Sequence, residues 1–101
     1  MDLSELTDEL RRRAGQNVKL GYKVKFVLEE DGIIFWDGTE HPPVIDNEDK
    51  PDPTTTIRIS PENLKKLMDG GLDPTLAYMT GKLKVEGSMG VALKLTSMFA
   101  D

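Results

Sequence analysis

His41 is the single histidine of the 101-residue chain, and it lies between Glu40 and Pro42 in a segment dense in turn residues. A serine–histidine–carboxylate relay needs a serine presented on a sharp strand-to-helix turn, and no serine here sits in a G-x-S-x-G context. An exposed loop histidine is the better reading. The acidic run Asp46, Glu48, Asp49 and Asp52 offers oxygens that would suit a hard cation. It lacks the ligand order and internal glycine of an EF-hand loop, so solvated loop carboxylates are expected. Gly81-Lys82 and Gly87-Ser88-Met89-Gly90 invite a phosphate-loop reading but fit neither G-x-x-x-x-G-K-[ST] nor G-x-G-x-x-G. Turn formation and the start of a helix account for them. There is no cysteine, which removes disulfides and thiolate metal sites. The residues predict no catalytic group, no metal and no cofactor.

Charge narrows the partners. The net charge is −5, whereas proteins that bind nucleic acid usually carry a basic face that neutralises phosphates. The one dense basic run, Arg11-Arg12-Arg13, falls at the end of a predicted helix, where cations complement the negative end of the helix dipole. Nucleic acid is not an expected partner. No stretch approaches the roughly 20 apolar residues that a membrane-spanning helix needs. The opening MDLSELTDELRRR lacks the apolar core of a secretory signal, and Phe99-Ala100-Asp101 is not a peroxisomal address. The expected compartment is the cytoplasm.

The elements follow from periodicity. Leu3, Leu6, Leu10 and Ala14 predict an amphipathic helix over residues 3–14, capped by Asp2 or Ser4 and ended by Gly15. Residues 18–29 switch to a period of two and predict a strand, followed by a turn at Glu30-Asp31-Gly32. The return strand, Ile33-Ile34-Phe35-Trp36, is apolar throughout and predicts cover on both faces. Residues 37–53 are turn-rich, with Val44-Ile45 as a short edge strand between prolines. Residues 54–59 read as a strand. Ser60-Pro61 starts a helix with the stripe Leu64, Leu67 and Met68, and Gly70-Gly71 stops it. Asp73-Pro74 starts a second, ended by Gly81. Residues 82–86 alternate as a strand broken by Gly87, and 88–99 form a last helix. The order predicts one α+β domain over residues 1–101, with helices on one face of a mainly antiparallel sheet. The last strand, reached by a helical crossover, is expected parallel to a neighbour.

The C-terminal half carries unusual apolar surface. On the last helix Met89, Val91, Ala92, Leu93, Leu95, Met98 and Phe99 fill most of the circumference, leaving a polar sector at Gly90, Lys94 and Ser97. Such a helix must be covered on more than one side, by core, ligand, membrane or a partner. Met68, Met79, Met89 and Met98 also lie here; methionine suits surfaces that adapt to varied apolar shapes, and it equally fills gaps in a core.

Residues 54–99 resemble the C-terminal half of the sterol carrier protein type-2 family. The matching features are Ser60-Pro61-Glu62, Gly70, Asp73-Pro74, the run Tyr78-Met79-Thr80-Gly81-Lys82-Leu83-Lys84-Val85-Glu86-Gly87, and Ala92-Leu93-Lys94-Leu95. The N-terminal half agrees only in element order and turn positions. Ser88 stands where the family more often carries Asp or Asn; serine is also a good helix cap, so little should change. The resemblance implies a five-stranded mixed sheet, helices enclosing an apolar tunnel, and non-catalytic binding of fatty acids, fatty acyl-CoA, sterols or phospholipids. A stand-alone prokaryotic member is implied, for which a fatty acyl chain is the expected cargo. Such a chain, held between the sheet and the C-terminal helices, would lie near Phe26, Trp36, Ile59, Leu67, Met68, Leu76, Met79, Met89, Leu93, Met98 and Phe99. Transient membrane contact and a homodimer stay open beside the lipid. The competing reading is an interaction module that uses an exposed apolar C-terminal helix.

Overall fold

The computed structural model describes residues 2–14 and 21–98. The N-terminal helix α1 spans Leu3–Ala14 and turns Leu6, Leu10 and Ala14 inward. Of the two expected caps it uses Asp2, whose carboxylate accepts from the Glu5 N–H at 2.9 Å. Its expected stop, Gly15, lies outside the described residues.

The chain then enters β1 (Lys23–Val27), shorter than the alternation in 18–29 suggests. Its front is preceded by Gly21, whose φ of +75° interrupts extended backbone, and residues 18–20 lie outside the described part. Its end passes into a 3-10 turn at Glu29–Asp31. Strands β2 (Ile33–Asp37), β3 (Val44–Asp46) and β4 (Thr55–Ile59) follow. Helices α2 (Pro61–Met68) and α3 (Pro74–Met79) lead to β5 (Leu83–Gly87) and α4 (Met89–Met98). The three later helices start as their side chains dictate. Ser60 Oγ accepts from Asn63 N–H, Asp73 Oδ2 from Leu76 N–H, and Ser88 Oγ from Val91 N–H, at 3.1, 3.0 and 3.2 Å.

The five strands form one sheet in the order β3-β2-β1-β4-β5. Neighbours are antiparallel except β1 and β4, which run parallel with Val24 opposite Thr55 and Phe26 opposite Ile57. The expectation of a parallel β5 is corrected: β5 lies antiparallel to β4, with Leu83 opposite Ile59. Two helices, not one, join these strands, and together they return the chain to the end of the sheet where β4 stopped. The parallel crossover is instead made earlier, by everything between β1 and β4.

Register puts Val24, Phe26, Ile34, Trp36, Ile45, Ile57, Ile59, Leu83 and Val85 on one face. All the helices contribute to the apolar cluster that forms on it, through Leu6, Leu10, Leu64, Leu67, Met68, Ala77, Val91, Ala92 and Leu95. The opposite face is polar, with one covered patch. Phe35 is fully buried there, as the apolar run predicts. The Lys50 ammonium stands 5.8 Å from its ring centroid. Lys25–Asp49 and Lys50–Asp46 ion pairs, at 2.8 and 2.7 Å, fasten the loop 47–53 beside it. The hydrogen bond from Lys50 holds the Asp46 carboxyl below its ordinary range and raises Lys50 in turn. Asn47 ties the start of this loop to α1 and β2, donating to Thr7 Oγ1 at 3.0 Å and to the Ile33 carbonyl at 2.9 Å.

Candidate functional site

The residues with chemical potential are spoken for or isolated. His41 is exposed. The acids Asp46 and Asp49 are engaged by Lys50 and Lys25. Among the described residues no group of three histidine or carboxylate side chains converges to hold a metal. Arg11, Arg12 and Arg13 pair with Asp8, Glu9 and Asp69, and Arg11 Nε also donates to the Ile45 carbonyl on edge strand β3 at 2.8 Å. Gly87 and Ser88 serve the backbone: Gly87 closes β5 against Thr55, and Ser88 caps α4.

The interior holds few polar side chains. Three polar side chains are buried among the described residues, Thr7, Thr55 and Thr96. Each hydroxyl donates to a main-chain carbonyl: Leu3 at 2.7 Å, Glu86 at 3.1 Å and Ala92 at 2.9 Å. With those bonds made, the space between sheet and helices presents hydrocarbon, the buried indole N–H of Trp36 apart. A polar substrate would lose its hydration there without replacement, whereas an aliphatic chain would lose nothing comparable.

The apolar positions singled out from sequence fall into three groups. Phe26 and Trp36 at the middle of the sheet, Ile59 at the end of β4, and Leu67 and Met68 on α2 are buried together in one cluster. Met89, Leu93 and Met98 on α4 are half-buried. Leu76 and Met79 are 57% and 72% exposed, and Tyr78 beside them is 43% exposed. α3 is a short helix that turns Ala77 into the core and its other apolar residues to solvent. Phe99 lies outside the described residues. α4 meets the expectation for its polar sector: Gly90, Lys94 and Ser97 are exposed, while Val91, Ala92, Leu95 and Thr96 are buried. The apolar circumference is thus taken up mainly by β4, β5 and α3, which α4 packs against. It leaves little of the bare apolar face that an interaction module would require.

Sequence reasoning missed a cleft of about 480 Å³ at the corner where β1, β4 and β5 meet the start of α2. Val27, Glu29, Arg58, Ile59, Lys82 and Lys84 are among its walls. Arg58 and Lys84 are cross-strand partners, a juxtaposition that appears only once the register is known. Ile59 belongs to both the cleft and the apolar cluster, whereas Arg58 and Lys84 lie on the opposite, polar face of the sheet.

Comparison with known proteins agrees with this architecture. The chain matches the SCP-2 sterol transfer family over residues 4–100. It is 34% identical over 87 residues to the hydroxysteroid dehydrogenase-like protein 2 of Danio rerio, a match covering 78% of this chain and 19% of that one. It spans about a tenth of the length of other curated relatives, such as sterol carrier protein 2 of Oryctolagus cuniculus, 42% identical over 55 residues, or 54% of this chain. The fold superimposes on the crystal structure of sterol carrier protein 2-like 2 from Aedes aegypti with a TM-score of 0.76 at 17% identity. That match covers 94% of each chain. A match over residues 4–100, nearly the whole chain, carries the assignment: the chain belongs to the SCP-2 sterol transfer family.

Proposed function

We propose that the protein binds an extended acyl lipid, a fatty acid or fatty acyl ester, between the inner face of the sheet and helices α2 and α4, and carries it without altering it. The supporting observation is the interior itself: among the described residues its polar side-chain atoms are the indole N–H of Trp36 and the hydroxyls of three threonines already bonded to the main chain. Binding then rests on burial of methylenes, each worth about 0.8 kcal/mol before the costs of association. Phe26, Trp36, Ile59, Leu67 and Met68 form the inner wall in this reading. Met89, Leu93 and Met98 form the adaptable side, because they are half-buried and two of them are methionines. Leu76 and Met79 stand at the rim. Their exposure, with that of Tyr78, suits brief contact with a membrane while the lipid is exchanged. No residue is assigned a catalytic role.

The test is mass spectrometry of organic extracts from natively purified protein, followed by uptake of a fluorescent fatty acid. A stoichiometric lipid, or saturable uptake, supports the carrier. An empty extract with no uptake overturns it.

A further inference from the structure

We infer that the outer edge of β5 is a self-pairing surface, on which a second copy of this chain lays its own β5 in antiparallel register centred on Val85. The two edges of the sheet, β3 and β5, are built differently. β3 is three residues long, follows Pro42-Pro43, and has its Ile45 carbonyl occupied by Arg11 Nε at 2.8 Å, all of which blunt an edge. β5 is five residues long and contains no proline. Among the described residues no side chain or loop bonds the main chain of Leu83, Val85 or Gly87. Hydrogen-bond phase shows that these groups face outward. Ser88 N–H donates to the Thr54 carbonyl at 3.3 Å, which makes Thr55 and Gly87 a non-hydrogen-bonded pair. Alternation then turns the main-chain groups of Lys84 and Glu86 toward β4, and those of Leu83, Val85 and Gly87 away from it. The Thr55 hydroxyl on the Glu86 carbonyl, at 3.1 Å, agrees.

Charge identifies the occupant. Centred on Val85, each Val85 exchanges both main-chain bonds with its counterpart, and Leu83 does the same with the second copy's Gly87. Lys84 then stands opposite the second copy's Glu86, twice over, in the non-hydrogen-bonded position where side chains approach most closely. An edge lysine ordinarily repels a stray strand; Glu86, two residues on, makes an exception for this same strand reversed. Within one copy Lys84 faces Arg58 across the sheet, a like-charge pair, and Arg58 Nε is met by Glu86 at 2.9 Å. The second copy extends this to a row Arg58–Glu86–Lys84. A register centred on Lys84 or on Glu86 would instead set like charges opposite each other. The two-fold axis passes through the sheet, so the helices of both copies lie on the same side of one continuous sheet. Nothing in this pairing involves α4 or the cargo, and its failure would leave the carrier intact.

Sedimentation equilibrium on the whole chain up to about 1 mM tests it, since one strand pair is a small interface and a dissociation constant of about 100 μM is expected. Lys84→Glu and Glu86→Lys should each weaken association about tenfold, because each turns both opposite-charge pairs into like-charge pairs. Mixed in equal amounts, the two variants should associate about as tightly as the parent, one presenting two acids and the other two bases. Both side chains are exposed, and melting temperatures of the variants should not fall. Should Glu86→Lys lose stability with its Arg58 partner, amide exchange of the parent gives a second reading. Protection of the Val85 N–H should rise with protein concentration, while Lys84 and Glu86, bonded to β4, stay protected throughout. A chain that remains monomeric over this range, Val85 exchange independent of concentration, or a dimer indifferent to both variants overturns the pairing. So does a mixture that associates no more tightly than either variant alone.

Discussion

Gly87 ends β5 with φ at +97°, a backbone conformation that side chains rarely adopt. A Cβ placed there would stand 2.6 Å from the Thr54 carbonyl oxygen and 3.2 Å from Thr55 Cα. Both neighbours are backbone, and the Thr54 carbonyl also accepts from Ser88 N–H at 3.3 Å, so neither can swing aside. Gly87→Ala therefore carries two costs: left-handed strain of about 1–3 kcal/mol and overpacking of about 1–3 kcal/mol. Gly81 supplies the control. Its φ is +78°, yet nothing lies within 4 Å of the position a Cβ would take. Gly81→Ala should show the strain alone. Urea unfolding followed by the fluorescence of Trp36, the single tryptophan and fully buried, would read both variants against the parent. The contact predicts that Gly87→Ala is the less stable by about 1–3 kcal/mol, or several degrees in melting temperature for a domain of this size. Equal losses in the two variants would refute the steric reasoning. Because Gly87 immediately precedes the Ser88 cap that sets the start of α4, surviving Gly87→Ala protein should show weaker lipid uptake.

Two further perturbations probe the site and its support. Leu93→Trp and Met98→Trp add bulk to the half-buried side of α4; fluorescent fatty acid binding should fall at least about tenfold with circular dichroism unchanged, a loss of about 1.4 kcal/mol. Unchanged affinity in both would remove α4 from the wall. The Asp46–Lys50 pair should make stability depend on acid. Asp46 titrates below its ordinary 3.8 when folded, chiefly through the Lys50 hydrogen bond. Its contribution is fully present above 3.8 and is lost as pH falls through the folded value. Lys50→Ala should flatten that acid limb in a pH series of urea melts; an unchanged limb would show that the pair contributes nothing.

Much of the fold was readable where its signals are local. Ser60-Pro61 and Asp73-Pro74 state where helices begin, through a capping oxygen and a residue that has no N–H to satisfy. The polar sector of α4 likewise followed from spacing alone, as did burial of Phe35 from the unbroken apolar run. What failed to show is what depends on distant segments meeting. The direction of β5 is set by how two helices together return the chain, which no periodicity records. The cleft needs Lys84 beside Arg58, a pairing that exists only in the assembled sheet. Leu76 and Leu67 carry the same side chain, yet one is 57% exposed and the other 1%. Composition cannot separate them, because the short α3 has only Ala77 on its buried face.

The parallel β1–β4 pair has a kinetic consequence. The β1–β2 hairpin closes over a tight turn, but Val24 can find Thr55 only after β2, β3 and the loop 47–53 have been passed. Loop closure of that span precedes any reward from pairing. β5 pairs with β4, and α4 in turn packs on β4 and β5. Half of the wall proposed for the lipid thus waits on a single long-range encounter. During that interval the part of the inner face that α2 and α4 later cover is still bare, and an acyl chain present in solution would meet it before those two helices do. Refolding with and without fatty acid, timed by Trp36 fluorescence, would show whether cargo can enter as the barrier is crossed, with no later opening required.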